Sequence, residues 1–92
     1  MIQHIVMWKF RENADPTEFL TRLAALEGEI ECIRSMQVRS SAVENAEYDS
    51  VLVSTFDSMA DVEAYKNDPR HVAVAALCKE IRTVRSAIDV EL

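Results

Sequence analysis

The stretch YDSVLVSTFDSMADVEAYKNDPRHVAVA, residues 48–75, predicts a strand followed by two helices with a break between them. Its first part, residues 48–56, is rich in β-branched and aromatic side chains, which favours a strand. Side chains alternate between the two faces of a strand. One face carries Ser50, Leu52, Ser54 and Phe56, and the other carries Val51, Val53 and Thr55.

The second part of the stretch predicts two short helices with an interruption between them. Ser58 followed three residues later by Asp61 is typical of a helix N-cap, and we expect this helix to run to about Lys66. Pro69 cannot continue it, since proline lacks the amide hydrogen and disfavours helix before it. The segment HVAVAALCKEI, from His71, is then predicted to form the second helix.

Upstream, residues 2–10, IQHIVMWKF, predict another strand with apolar side chains on both faces. One face carries Ile2, His4, Val6, Trp8 and Phe10, and the other carries Gln3, Ile5, Met7 and Lys9. A strand of this kind belongs to a sheet that is covered on both faces.

A long amphipathic helix is predicted between these two strands. Asp15 suits an N-cap, Pro16 the first helical position, and Glu18 the reciprocal position of a capping box. Apolar residues then recur at helical spacing: Phe19, Leu20, Leu23, Leu26, Ile30 and Ile33. This spacing predicts a helix of about five turns.

The remaining segments complete the order β-α-β-β-α-β. Residues 36–43 predict a weaker strand, 44–47 a turn, and 84–92 a final strand. This order predicts an α+β, ferredoxin-like fold, with a four-stranded antiparallel sheet and helices on one face. The second helical region is broken in two, and residues 1–92 form one domain.

The face of the sheet opposite the helices predicts an assembly. Ile5, Met7, Val51 and Val53 would form an apolar patch there, and soluble proteins rarely leave such patches exposed. A second copy packed sheet to sheet would cover it, so we expect a two-fold homodimer.

Composition restricts the other partners. Sixteen acidic residues against ten basic ones give a net charge of −6, and the basic residues form no run, which argues against nucleic acid and membrane surfaces. No apolar segment has the length of a membrane span. Cys32 and Cys78 match no zinc or redox spacing. We expect two buried, reduced thiols in a cytoplasmic protein without a cofactor.

The candidate site lies where the helix break faces the sheet. His4, Val6 and Trp8 of the first strand are expected to contact a ligand between sheet and helices, together with Ser50 and Leu52 of the third strand. Tyr65 and His71 would close this space, with His71 as a general base and Tyr65 as a hydrogen-bond donor to an oxyanion. The alternative is structural: His71 would bond the backbone at the break, and Tyr65 and His4 would be core residues with satisfied polar atoms.

Three segments, HIVMWKF, YDSVLVSTFDSMADVEAYKNDPRHVAVA and AIDVEL, together resemble the stress-responsive A/B barrel (Dabb) domain family. The resemblance covers almost the whole chain. It implies a dimeric α+β barrel, in which two sheets enclose a barrel and the helices lie outside.

The resemblance also implies possible site residues. A plant polyketide cyclase of this family has a catalytic pair that resembles Tyr65 and His71, and a histidine at the position of His4; Ser50 stands where it has a further histidine. Other plant members hold magnesium through backbone carbonyls at positions matching Ile30, Ile33 and Met36.

Three functions follow from these observations. The first is a dimer that binds a small, mostly apolar ligand. The second is a lyase or cyclase acting on a polyketide-like or other carbonyl substrate through Tyr65 and His71. The third is a structural assembly unit, and whether the protein is an enzyme is left open.

Overall fold

The elements follow the order predicted from the sequence. The computed structural model describes residues 1–92. The helices and strands are β1 (Ile2–Phe10), α1 (Thr17–Ala25), a 3₁₀ turn (Leu26–Gly28), β2 (Ser35–Ser40), β3 (Ser50–Phe56), α2 (Met59–Asn67), α3 (Pro69–Ile81) and β4 (Arg82–Glu91). The α+β, ferredoxin-like prediction is therefore confirmed.

The four strands form one antiparallel sheet in the order β2-β3-β1-β4. The central strand β1 places Ile5 opposite both Val53 of β3 and Ile88 of β4. Because paired residues share a face, the register separates the two surfaces of the sheet. The helices cover the surface that carries Val6, and the core lies between them and the sheet.

Helix α1 is shorter than the five turns predicted. It ends at Ala25, and after the 3₁₀ turn the chain continues without regular structure to Arg34. Ile30 and Ile33 are still buried, and the Ile33 amide donates to the Ile30 carbonyl at 3.2 Å. A three-residue spacing is common to a helix and to such a turn, which is why the apolar pattern overstated the helix.

The start of α1 also differs from the predicted capping box. The helix begins at Thr17, after Pro16, and Asp15 Oδ1 accepts from the Thr17 amide at 3.0 Å and from its hydroxyl at 2.7 Å. Glu18 forms an ion pair with Arg22 at 3.6 Å. Asp15 therefore caps the first turn, whereas the reciprocal bond expected of Glu18 is missing.

The break between the helices occurs where the sequence predicts it. Ser58 caps α2 and accepts from the Asp61 amide at 3.3 Å. Helix α3 begins at Pro69, two residues earlier than predicted, because Asp68 Oδ1 accepts from the Arg70 amide at 2.8 Å. Proline is favoured at the first helical position, so Pro69 both ends α2 and begins α3.

The remaining boundaries shift by a few residues. Strand β2 ends at Ser40 and β3 begins at Ser50, because the loop between them is closed by the Ser41 amide, which donates to the Asp49 carbonyl at 2.8 Å. Cys78 is buried as predicted. Cys32 is only half-buried, since it lies in the irregular segment after α1. None of the helices has both the length and the apolar character needed to cross a bilayer.

Candidate functional site

A cavity of 240 Å³ lies between the sheet and the helices. Its apolar walls come from both strands and helices: Val6, Trp8, Phe19, Leu23, Leu52, Val74, Ala75 and Cys78. Tyr65 and His71 complete the wall at the helix break. This volume corresponds to about eight water molecules at about 30 Å³ each, so it suits a small organic molecule.

Tyr65 contributes an unsatisfied polar atom to this wall. Its side chain is completely buried, and its hydroxyl has no hydrogen-bond partner. Burial raises the pKa of the hydroxyl, an effect that the charge of Arg85 partly opposes. The group therefore keeps its proton at neutral pH and is available to donate a hydrogen bond.

His71 lies against Tyr65, with ring centroids 4.4 Å apart and ring planes inclined by 51°. Its Nδ1 is 3.0 Å from the Lys66 carbonyl oxygen, near the end of α2. A carbonyl only accepts, so Nδ1 carries the proton of the neutral ring and Nε2 carries the lone pair. Burial lowers the pKa of His71 despite this hydrogen bond, which favours the neutral form. The expected backbone bond and a free basic nitrogen are thus present on the same ring.

His4 does not line the cavity, contrary to the prediction that placed it beside Trp8. It is buried, and its Nδ1 is 2.6 Å from Asp89 Oδ1 on β4. Its ring packs edge-on against Tyr65 at 6.2 Å and Phe56 at 6.4 Å. The alternation of β1 puts His4 on the correct face, but these aromatic rings cover it there. His4 therefore contacts Tyr65 and is not part of the cavity wall.

Ser50 is also outside the cavity. It lies opposite Trp8 at the first position of β3, where the long indole reaches the cavity and the short serine side chain does not. Ser50 instead borders an open groove of 610 Å³ that is lined mainly by polar residues, including Lys9 and Asp49. Ser50 therefore does not border the cavity that Tyr65 and His71 line, and its role in ligand binding stays a prediction.

The other five predicted site residues lie around the same cavity: Val6, Trp8, Leu52, Tyr65 and His71. Their roles in binding or catalysis stay predictions. The sequence interpretation missed Lys79, Arg82 and Arg85, which also line the cavity. The signal that identifies Lys79 is the spacing of His71, Ala75 and Lys79, which places them on one face of α3.

The positive side chains give the cavity a distinct electrostatic character. Three cationic side chains line it and no carboxylate does, although the whole chain has a net charge of −6. Burial raises the pKa of the Cys78 thiol, and the charges of Arg82 and Arg85 act against that shift. The positive charge of Arg82 and Arg85 therefore acts on the buried Cys78 thiol in the cavity wall.

The structure contains no cluster of three histidine, cysteine or acidic side chains suited to a metal ion. At the backbone positions implied by the resemblance, the Ile30 carbonyl accepts from the Ile33 amide, and Glu27 Oε2 accepts from the Met36 amide at 2.9 Å. A backbone magnesium site at Ile30, Ile33 and Met36 stays a prediction.

The fold recurs in several solved structures. A dimeric protein of unknown function with a ferredoxin-like fold from Bacteroides fragilis is 28% identical, with a TM-score of 0.88 over 99% of this chain and 95% of that chain. A dimeric ferredoxin-like protein of unknown function from Thermobifida fusca is 22% identical, with a TM-score of 0.86 over 99% of this chain and 90% of that chain. A hydroxynitrile lyase from Passiflora edulis is 13% identical, with a TM-score of 0.86 over 99% of this chain and 92% of that chain.

The sequence comparisons agree with the fold. The search of curated proteins found no match. The family described as Stress responsive A/B Barrel Domain matches residues 2–92, which confirms the resemblance first noted in the sequence motifs. This protein belongs to the stress-responsive A/B barrel (Dabb) domain family.

Proposed function

We propose that the protein binds a small, mostly apolar molecule with a hydroxyl or carbonyl group in the cavity beneath the helix break. The main support for this proposal is the Tyr65 hydroxyl. It is the single buried side-chain polar atom without a hydrogen-bond partner, and Tyr65 lines an apolar cavity. Ligand sites commonly combine apolar walls with a few such polar groups.

The energetic argument concerns this one hydroxyl. A buried polar group without a partner costs about 1–3 kcal/mol relative to a satisfied one. A carbonyl or hydroxyl oxygen of a ligand would accept the Tyr65 hydrogen bond and recover part of that cost. The apolar walls would gain roughly 25 cal/mol for each Å² of ligand surface removed from water.

Binding is tested with two neutral probes, phenylacetone and phenylacetamide, by isothermal titration calorimetry. Ala75 lies in the cavity wall and Ala76 is exposed on the same helix. We expect Ala75→Phe to fill the cavity and abolish binding, while Ala76→Phe binds as the wild type does. If neither probe binds the wild type, or if the two variants bind the probes equally well, the proposal that ligands bind in this cavity is wrong.

We infer further that the protein forms a homodimer through the uncovered face of the sheet. That face carries Ile5, Met7, Val51 and Val53, as predicted, and β4 adds Val84 and Ile88, which are 46% and 57% exposed. The proteins from Bacteroides fragilis and Thermobifida fusca that share this fold are described as dimeric. A second sheet packed against this face would enclose the barrel expected of the family.

A second candidate function is proton transfer, and the tautomer of His71 favours it. In this reaction Nε2 takes a proton from the carbon beside a ligand carbonyl, and the C–H electron pair moves to form an enolate. Tyr65 then donates a hydrogen bond to the enolate oxygen. Such chemistry corresponds to a lyase or cyclase acting on a carbonyl substrate. The hydroxynitrile lyase from Passiflora edulis is a lyase on this fold.

This second function is tested by deuterium incorporation at the α-carbon of phenylacetone in D₂O, followed by NMR. If His71 is the base, His71→Gln should reduce the exchange rate by about 10²–10⁴-fold while binding is little changed. Exchange in the wild type no faster than in buffer would contradict the catalytic function and would leave the binding function intact.

A further inference from the structure

The mouth of the cavity is formed by three basic side chains from two consecutive elements. Lys79 lies in the last turn of α3, and Arg82 is the first residue of β4. Arg85 lies opposite Trp8 in the sheet register and therefore on the face beneath the helices. All three border the same cavity as the Tyr65 hydroxyl.

These three charges lack the carboxylate partners that half of the basic residues have. Ion pairs within the chain engage Lys9, Arg22, Arg34, Lys66 and Arg70. No carboxylate lies within 4.0 Å of Lys79, Arg82 or Arg85. Arg11 and Arg39 form no ion pair either, but neither borders the cavity. Three of the five basic residues without an ion pair therefore lie at this one cavity, where a negative group from outside the chain would satisfy them.

The α3 helix dipole explains only part of this arrangement. A cation in the last turn of a helix interacts favourably with the free carbonyls there, and Lys79 is placed for that interaction. Arg85 lies within β4, away from the end of any helix, so the dipole gives no reason for its charge.

We propose that the ligand carries a carboxylate beside an apolar body, and that Arg82 and Arg85 bind this carboxylate at the mouth of the cavity. This inference rests on the proposed binding function and specifies the class of ligand. A guanidinium presents paired donors that match a carboxylate. The apolar body would occupy the space between Trp8 and Val74, with Tyr65 available to a second oxygen of the ligand.

A carboxylate fits this mouth better than a phosphate dianion. Phosphate sites in proteins typically use the backbone amides and positive dipole at a helix N-terminus. The mouth lies instead beside the C-terminal turn of α3, where the dipole is negative. The smaller charge of a carboxylate is opposed less by that dipole.

The test compares acids with their neutral amides, which have nearly the same shape. The probes are phenylacetate and 3-phenylpropanoate, their two amides, and phenyl phosphate. Each is titrated into the purified wild-type protein, whatever its oligomeric state. We expect each acid to bind about tenfold or more tightly than its amide, and the ratio to fall as salt is added.

Variants of Arg82 and Arg85 then test whether these side chains cause the preference for the acids. Arg82→Gln and Arg85→Gln should each reduce the ratio of acid to amide affinity, and the double variant should bring it close to one. Arg22→Gln is the matched control, because it removes the same charge from an exposed position on α1 that does not border the cavity. The affinities for the acids and for the amides should both be nearly unchanged in Arg22→Gln.

The outcomes separate this inference from the function on which it rests. Equal affinity for acids and amides, with binding still blocked by Ala75→Phe, overturns the carboxylate inference and supports the binding function. Phenyl phosphate binding more tightly than both acids overturns the choice of carboxylate. A ratio that Arg22→Gln lowers as much as Arg85→Gln does would show a general charge effect and overturn the site. Failure of every probe to bind overturns both proposals.

Discussion

The Tyr65 hydroxyl differs from the other buried polar groups of this protein. His4 is paired with Asp89, and the Ser54 hydroxyl donates to the His4 carbonyl at 3.1 Å. Tyr65 alone has no partner, although it lies beside both His4 and His71. Natural interiors satisfy most buried polar groups, so this exception is the main support for the proposed binding function.

Removing this hydroxyl should therefore stabilise the ligand-free protein. We expect Tyr65→Phe to raise the free energy of unfolding by about 1 kcal/mol, because an unpaired buried group is removed and the ring is kept. The measurement is urea unfolding without ligand. Tyr48→Phe is the control, since the Tyr48 hydroxyl is 2.9 Å from Ser86 Oγ, and its removal should not stabilise. A clear loss of stability in Tyr65→Phe would contradict the account of this hydroxyl.

The lowered pKa of His71 predicts a pH dependence of stability. The unfolded chain binds the proton with a pKa of about 6.5, whereas burial lowers the pKa in the folded protein. Between these two values the unfolded state holds more protons, so acid favours unfolding. The contribution of His71 is fully present above about pH 6.5 and is lost as the pH falls towards the folded pKa.

This dependence is measured by urea unfolding at several values between about pH 5 and pH 8. We expect the free energy of unfolding of His71→Gln to change less over this range than that of the wild type. NMR titration of the imidazole gives an independent check. An His71 pKa at or above the value of the unfolded chain would contradict the prediction.

At the scale of elements, two caps of unequal quality surround the break between α2 and α3. The Ser58 bond to Asp61 is 3.3 Å long, whereas Asp68 accepts from the Arg70 amide at 2.8 Å and also from its guanidinium. Hydrogen bonds from Arg70 hold the pKa of Asp68 at about 2. The Asp68 carboxylate therefore stays charged at neutral and at mildly acidic pH.

Loss of the stronger cap should have the larger effect. We expect Asp68→Ala to lower Tm by about 5 °C or more, because N-cap replacement leaves backbone amides unsatisfied. Ser58→Ala should lower Tm by less. Circular dichroism followed during heating measures both variants. Equal shifts, or a larger shift for Ser58→Ala, would contradict the ranking of the two caps.

Much of the fold was predictable because its patterns have one structural meaning. The alternation in β1 and β3 predicts two-faced strands, and Pro69 could not lie in the interior of one continuous helix. The length of α1 was overestimated because the spacing from Leu26 to Ile33 suits both a helix and a sequence of turns. The start of α3 was misplaced because Asp68 was taken only as part of the stop, although it also caps the next helix.

The candidate site was predictable only in part. Strand alternation assigned Val6, Trp8 and Leu52 to the face beneath the helices, and all three line the cavity. Strand alternation does not show which part of that face the helices leave open. His4 was therefore predicted to line the cavity, although other aromatic rings cover it. Arg85 was missed because a basic residue on an edge strand has the sequence signature of ordinary solvated surface.

At the scale of the whole molecule, the sheet has one covered face and one apolar face without cover. The predicted patch of four residues proves to be wider, since β4 places Ile88 directly opposite Ile5. Charged residues are few on this face and aliphatic side chains are frequent. A patch of this kind favours a sheet-to-sheet dimer over a stable monomer.

A charge in the centre of this patch should separate the subunits. We expect Val53→Asp to shift the protein from dimer to monomer in sedimentation velocity, because dimerisation would bury an unpaired carboxylate. Val72→Asp is the matched control: Val72 is 54% exposed on α3, on the opposite side of the sheet. A wild-type protein that sediments as a monomer at micromolar concentration, or a Val53→Asp variant that stays dimeric, would contradict the proposed interface.

The central position of β1 has a consequence for the order of events during synthesis. The first strand of the chain pairs with the last, and His4 meets Asp89 across a separation of 85 residues. On the ribosome, β1 can pair with β3 early, but its second edge stays open until β4 emerges. Contacts between distant parts of the chain slow folding, and open strand edges invite association with other chains. The nascent protein is therefore most exposed to aggregation in the interval between the synthesis of β3 and that of β4.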